Sequence, residues 1–504
     1  MNNNRNRIMN RIMNHMKFYV LVTAFLIFSL FTAVENLCAQ NLIEAVKKND
    51  FKQVKKLLDN GSDINEKDRY DSMPLHFAIK NGNYKIVKLL VDKGADINAR
   101  GYNAAAPIHM ASEKGDLKTV KLLLEKGSDI NYKDGCYSRT PLCWAASFNH
   151  YDLIKFLLEK GALIDEKAIG NRTALMEAVN NKYFRASKLL AEKGANIKNK
   201  DWMGNTALHF ACANNDIETI KLLIKKGANI NEKNEDGKTP LHYSAEHGSF
   251  QAAELLIKNG VSVNEKSGHN QIALHSAADA GHLNIAKLLL DNGADVKLVY
   301  LNDLLASCLG KLKGIEYYNV SHIDSKTLSR ILEEEHHKHN NHIKVVKYLI
   351  EKGADINAVY STCTMVKGRM LPIHVATANG NINAVKLLLQ NGADPDALTN
   401  GNVRSLYLAA GFGYVEIAKL LIEKGADINA KTLRGKTPLF LAAEKGYADS
   451  IKLLLEKGAD INIANTAGQT PLKIAEIKGH KEVVELLKNK SGNAETKTKT
   501  KINK

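Results

Sequence analysis

Apolar residues in this chain come in short bursts set apart by polar joints, and the bursts repeat. In residues 68–100, "DRYDSMPLHFAIKNGNYKIVKLLVDKGADINAR", a first burst begins at Pro74 and stops at Gly82. Proline suits the first turn of a helix, where its missing N–H costs nothing. Glycine tolerates the left-handed conformation that ends one. A second burst places Ile86, Val87, Leu89 and Leu90 at helical spacing and closes at Gly94. "ADIN" then leads through a turn-rich joint into the next unit. The spacing predicts a pair of short helices.

The second burst returns almost word for word: "TVKLLLEKGSDINYK" (119–133), "TIKLLIKKGANINEK" (219–233), "IAKLLIEKGADINAK" (417–431) and "SIKLLLEKGADINIA" (450–464). Its closing glycine falls at Gly61, Gly94, Gly127, Gly161, Gly194, Gly227, Gly260, Gly293, Gly353, Gly392, Gly425 and Gly458. Nearly every gap is 33 or 34 residues; the exceptions are 60 and 39. A period in this range means stacked units. It overrules the roughly three or four globular domains that the length suggests. One elongated array is expected.

Neither helix reaches the ~12–15 residues needed for marginal stability alone, so each must bury its apolar stripe on the next pair. Small residues at Ala78, Ala111, Ala145, Ala178, Ala211, Ala376 and Ala442 let the helices approach closely. Threonine before the proline, at Thr140, Thr239, Thr437 and Thr470, supplies a helix cap. "TPLHYSAEHG" (239–248), "TALHFACANN" (206–215), "TPLFLAAEKG" (437–446) and "TPLKIAEIKG" (470–479) closely resemble the ankyrin repeat and its T-P-L-H-x-A signature. Departures are local: Met73 replaces threonine, and Ala174, Ala207, Ala273 and Ser405 replace proline. The resemblance covers residues 40–490 and implies an all-α solenoid of stacked helix pairs with hairpin fingers. It also implies a concave binding face lined by fingers and first helices.

The ends differ from the middle. "QNLIEAVKKNDFKQVKKLLDNG" has two helices without a finger and reads as an N-terminal cap, and "HKEVVELLKNK" reads as the C-terminal one. Residues 491–504 form a polar, basic tail expected to be disordered. The long gap holds an insertion at about 312–341, with "SKTLSRILEEEHHK" at helical spacing. Upstream, Lys17 precedes the apolar run 18–34, and "LCAQ" (37–40) follows. Residues 1–39 thus resemble a secretory signal, with Met16 as the alternative start. A cleaved signal places the protein in the periplasm or outside the cell; the competing reading is a membrane anchor over residues 18–34.

The net charge of +16 changes little. Residues 1–39 carry +3 and residues 490–504 carry +4, which leaves +9 over the 450 residues between. Nucleic-acid binding needs a concentrated basic stripe with interleaved aromatics, so no nucleic-acid partner is expected. Six cysteines without a CxxC pair exclude a disulfide scaffold or zinc ribbon. Cys143 and Cys212 are expected in the core, and Cys308 could pair with Cys363 across the irregular unit. His76, His109, His209, His242, His275 and His374 share one signature slot, which predicts a structural role between neighbouring repeats. A second group, His336, His337, His339 and His342, has spacing that suits zinc or copper, against a plain reading as solvated loop. No phosphate loop, G-x-S-x-G or H-E-x-x-H occurs. Neither enzyme activity, nor a cofactor, nor an assigned metal site is expected.

Binding remains. The positions that the family uses for contact hold Arg69, Tyr70, Tyr102, Tyr137, Arg139, Phe148, Trp202 and Met203, and later units offer Glu235, Asp236, His247, Phe412 and Leu433. These positions vary where structural slots repeat, and Trp, Tyr and Arg dominate interface energetics. Trp202, Tyr102 and Tyr137 are expected to form one apolar strip with Arg139 at its side, whereas Trp144 is expected in the core. The sequence therefore predicts a non-catalytic, monomeric scaffold in the cell envelope or secreted, binding another protein on that face. Two alternatives are a host-directed secreted ankyrin effector and a metal-binding or redox-protective envelope protein using the histidine-rich insert.

Overall fold

The computed structural model describes residues 41–298, 341–357, 370–399 and 402–490. The leader, the 312–341 insertion up to Asn340, Cys308, Cys363, His336, His337, His339 and the tail lie outside the described residues. The chain forms two compact units. The first runs through Ala207 and takes Lys221–Ala228; the second holds Leu208–Ile220 and the chain from Asn229 onward.

Within each unit the period becomes helix pairs. Pro74–Asn81 and Tyr84–Asp92 are typical, at 8 and 9 residues. The first helix exits through Gly82 at φ 73° and the second through Gly94 at φ 89°, both left-handed. Some second helices open on a short polar cap: Asn83 accepts from the N–H groups of Lys85 and Ile86, and Asp116 from that of Thr119. Ile86, Val87 and Leu90 are fully buried, and so are the seven alanines that the sequence places at close approaches. Fold class is an all-α solenoid of helix pairs. Among the described residues no continuous strand forms.

The fingers are tight turns. One backbone bond closes each, as from Asp68 N–H to Ser72 O at 3.0 Å or from Asn234 N–H to Lys238 O at 3.0 Å. Consecutive fingers are tied by a further bond: Gly135 N–H to Ala104 O (3.0 Å), Ile169 N–H to Tyr137 O (2.8 Å) and Trp202 N–H to Gly170 O (2.8 Å). The second unit repeats the pattern from Gly268 N–H to Asp236 O at 2.7 Å. At Gly237, φ 69°, an added Cβ would lie 2.5 Å from the Gly268 nitrogen, so this tip has no room for a side chain. On the other side of several repeats, the asparagine that ends "DIN" brackets the next unit. Asn65 Oδ1 accepts from Asp96 N–H, Asn131 Oδ1 from Leu163 N–H, and Asn429 Oδ1 from Asp460 N–H, each at 2.9 Å across 31 or 32 positions.

The signature histidines are structural. In His76, His109, His242, His275 and His374, Nδ1 accepts the backbone N–H three residues back, at 3.0–3.1 Å. An accepting Nδ1 leaves the proton on Nε2. That nitrogen donates to the joint or finger that leads into the next repeat: His76 to Ala99 O, His109 to Tyr132 O, His242 to Gln271 O and His374 to Ala397 O, at 2.7–3.0 Å. Burial lowers the pKa of His76, His109, His242 and His374, that of His242 to about 4. The expected role between repeats is what the geometry shows.

A second histidine slot escaped the sequence reading. His150, His342 and His480 precede second helices, and each donates from Nε2 to a carbonyl of the preceding pair: Glu113 O (2.6 Å), Asp279 O (2.9 Å) and Glu444 O (3.1 Å). Their rings lie over the glycines that end that pair's first helix, Gly115, Gly281 and Gly446. Tyr414 and Tyr447 do the same over Gly380 and Gly413. His342 is therefore a packing residue, and the metal reading keeps only members outside the described residues. Among the described residues no group of side chains is arranged to hold a metal ion. Cys143 and Cys212 are buried free thiols, as expected; burial raises both, Cys212 to about 12.

Candidate partner-binding surface

The first unit carries a groove of about 930 Å³ between its fingers and first helices. Tyr70, Phe77, Met110, Tyr137, Trp144 and Phe148 supply its apolar lining, and Lys47, Asp68, Lys80, Glu113 and Lys114 its charged side chains. Local geometry sets each ring. Asp68 Oδ1 accepts from Tyr70 N–H and Ser72 N–H at 2.9 Å, which fixes the first finger. Asp134, 3% exposed, does more. Its Oδ1 accepts Tyr137 N–H at 2.7 Å and its Oδ2 accepts the Trp144 indole N–H at 2.8 Å, so one buried carboxylate orients a finger ring and a helix ring together.

Trp144 corrects the expectation made for it. It is half-buried, and it faces the groove. Its ring stacks on Phe148 at 6.0 Å and 7°, and Phe148 stacks on His150 at 6.4 Å. The Arg139 guanidinium lies over Tyr137 at 5.1 Å and over Trp144 at 5.2 Å. The column three residues after the helix-opening proline or its substitute holds Phe77, Met110, Trp144, Glu177, Phe210 and Tyr243. It varies as the finger tips vary, and the same criterion applied there would have found Trp144.

The other sequence candidates separate into three positions. Tyr70, Tyr137 and Phe148 line the groove and are 51%, 54% and 44% exposed. Arg69 stands over the Tyr70 ring at 4.7 Å. Trp202, 69% exposed, and Met203 occupy a finger tip outside the groove lining, with the Trp202 ring against Gly170. Exposed Ile169 lies beside Gly170, so Tyr137, Ile169 and Trp202 follow one another along the hydrogen-bonded finger tips. The Tyr102 side chain lies outside the described residues. In the second unit, Phe412 and Leu433 are exposed and His247 stacks on Tyr243.

The model of ankyrin repeats (three copies) matches residues 42–134, 107–168, 142–234, 208–299, 337–432 and 406–500. The chain belongs to the ankyrin-repeat family. No curated protein matches the sequence significantly. Ankyrin repeats are generally protein–protein interaction modules and typically non-catalytic scaffolds. Its most strongly perturbed histidine and thiol, His242 and Cys212, are both buried in packing positions. Among the described residues no helix is long and apolar enough to cross a membrane.

Proposed function

We propose that this ankyrin protein is a non-catalytic scaffold that holds a partner protein in the groove of its first unit, with the finger tips at Ile169, Trp202 and Met203 extending the surface. The observation that carries the reading is the ring cluster of Tyr137, Trp144 and Phe148, oriented by Asp134 and crossed by Arg139. Packing within the repeats has little use for rings left this exposed, whereas an interface anchor needs them oriented in advance. The double variant Tyr137→Ala with Phe148→Ala should weaken partner binding by ~2 kcal/mol or more. Its thermal midpoint should stay near that of the parent, because both side chains are about half exposed. The readout is affinity capture with parent and variant baits, followed by calorimetry on the captured protein. Equal capture by both baits rejects the groove.

The same reading places the protein in the cell envelope or outside the cell. Its support is the basic start, the apolar run 18–34 and the "LCAQ" segment. N-terminal sequencing of the mature protein should begin near Gln40. An intact 18–34 segment in washed membranes would select the anchor.

A further inference from the structure

Arg139 stands just outside the groove lining and lies over two of its rings. Its guanidinium is held by two aromatic faces, Tyr137 and Trp144. Its one ion contact is Glu177 Oε1 at 3.9 Å, an oxygen already engaged by Arg172 Nε at 2.9 Å. No hydrogen bond joins the Arg139 guanidinium to a described residue, although Arg139 is only 26% exposed. A planar fork of donors, oriented by stacking and left unused, is built for a carboxylate. Trp144 and Phe148 beside it, stacked on one another, form an apolar platform in the groove lining.

The surrounding charges favour the same sign of ligand. Arg69, Lys80 and Lys114 have no ion partner among the described residues, whereas Lys47 is paired with Glu44 at 2.9 Å. On the acidic side, Asp68 and Asp134 are occupied by N–H donors and Glu177 by arginine. Glu113 alone of the groove's acids stands unengaged. The free cations outnumber the free acids, so an occupant gains by bringing negative charge. A nucleic-acid strand is disfavoured: its binding sites track a backbone with cations and offer open ring faces for bases. Here Glu113 interrupts the cations.

We infer that the groove takes an acidic peptide segment of the partner protein, with one of its carboxylates on Arg139 and a neighbouring apolar side chain on the Trp144–Phe148 platform. This inference rests on the reading of the groove as the partner surface and adds the chemistry of its occupant. Random peptides displayed on phage and selected on the full chain at physiological salt test it. Enriched sequences should carry net negative charge together with an aromatic or long aliphatic residue. For the best of these peptides, fluorescence polarisation should show roughly tenfold weaker binding to Arg139→Gln, partly recovered in Arg139→Lys, which restores the charge without the fork. The exposed double variant Lys80→Glu with Lys114→Glu should weaken it about as much and leave the thermal midpoint in place. Enrichment of basic or neutral peptides, no enrichment, or displacement by an oligonucleotide or a phosphopeptide at lower concentration overturns the inference. Binding indifferent to both sets of variants overturns it too. A captured partner lost on Tyr137→Ala with Phe148→Ala but indifferent to Arg139→Gln would sink the chemistry and leave the surface standing.

Discussion

Stability should fall between pH 6.5 and about 4, before most carboxylates are neutralised. Burial holds His242 at about 4 against 6.5 for an exposed ring, and Lys238, His275 and Lys233 press it the same way. The folded ring stays neutral in this window while the unfolded one takes a proton. Stability is therefore intact above 6.5 and lost as pH falls towards the folded value. For His242 alone the loss approaches roughly 3 kcal/mol. His76, His109, His282 and His374 are lowered as well, chiefly by burial, and act in the same direction. The structural cause is direct. A second proton must go to Nδ1, which in His242 already accepts Thr239 N–H at 3.1 Å, so it would face that backbone donor even though the Thr239 hydroxyl at 2.9 Å can turn to accept. Urea titrations at pH 7.5 and pH 5 should show a lower midpoint at pH 5. His242→Phe should flatten part of that dependence, since another repeat fills the same slot with Phe440. A midpoint unchanged between the two pH values would refute the account.

Phe440→Ala is expected to cost ~3–5 kcal/mol through a core cavity, because the ring is 1% exposed. Trp144→Ala should cost much less stability, since it leaves the groove wider and opens no sealed void. Its loss should appear in partner affinity, at ~2 kcal/mol or more. The two aromatics stand in neighbouring columns of the first helix and swap roles on that account. Paired urea midpoints and binding isotherms decide the matter. If Trp144→Ala destabilises as Phe440→Ala does, the indole is structural and the groove loses its centre.

That contrast shows where the sequence was readable. Repeated residues identified themselves: the glycine exits, the alanines at close approaches and the first histidine slot all recur at one spacing, and identical neighbours impose identical roles. Trp144 was harder. A large apolar ring on a short helix reads as core from composition, and only the variability of its column from repeat to repeat says otherwise. His342 was misplaced for the opposite reason. Its local string, "EEEHHKHNNH", suggested a ligand cluster, while its true partner is the Asp279 carbonyl on the preceding pair. The separation of 63 positions, lengthened by the insertion, hides a bond that other repeats make across 36 or 37. The finger tips were legible as variable positions, but their order along the edge depends on bonds such as Trp202 N–H to Gly170 O, which no periodicity records.

The asparagine brackets have a consequence for how such a chain can change its length. Asn65 reaches Asp96 and Asn429 reaches Asp460, each spanning 31 residues from the end of one repeat to the end of the next. A duplication of 33 residues in the genome copies the acceptor and the donor together, so the new copy arrives with both halves of its joint already matched. Growth or loss by whole repeats thus leaves every remaining joint complete. A single codon gained inside a repeat does the reverse, because it shifts one half of the joint past the other.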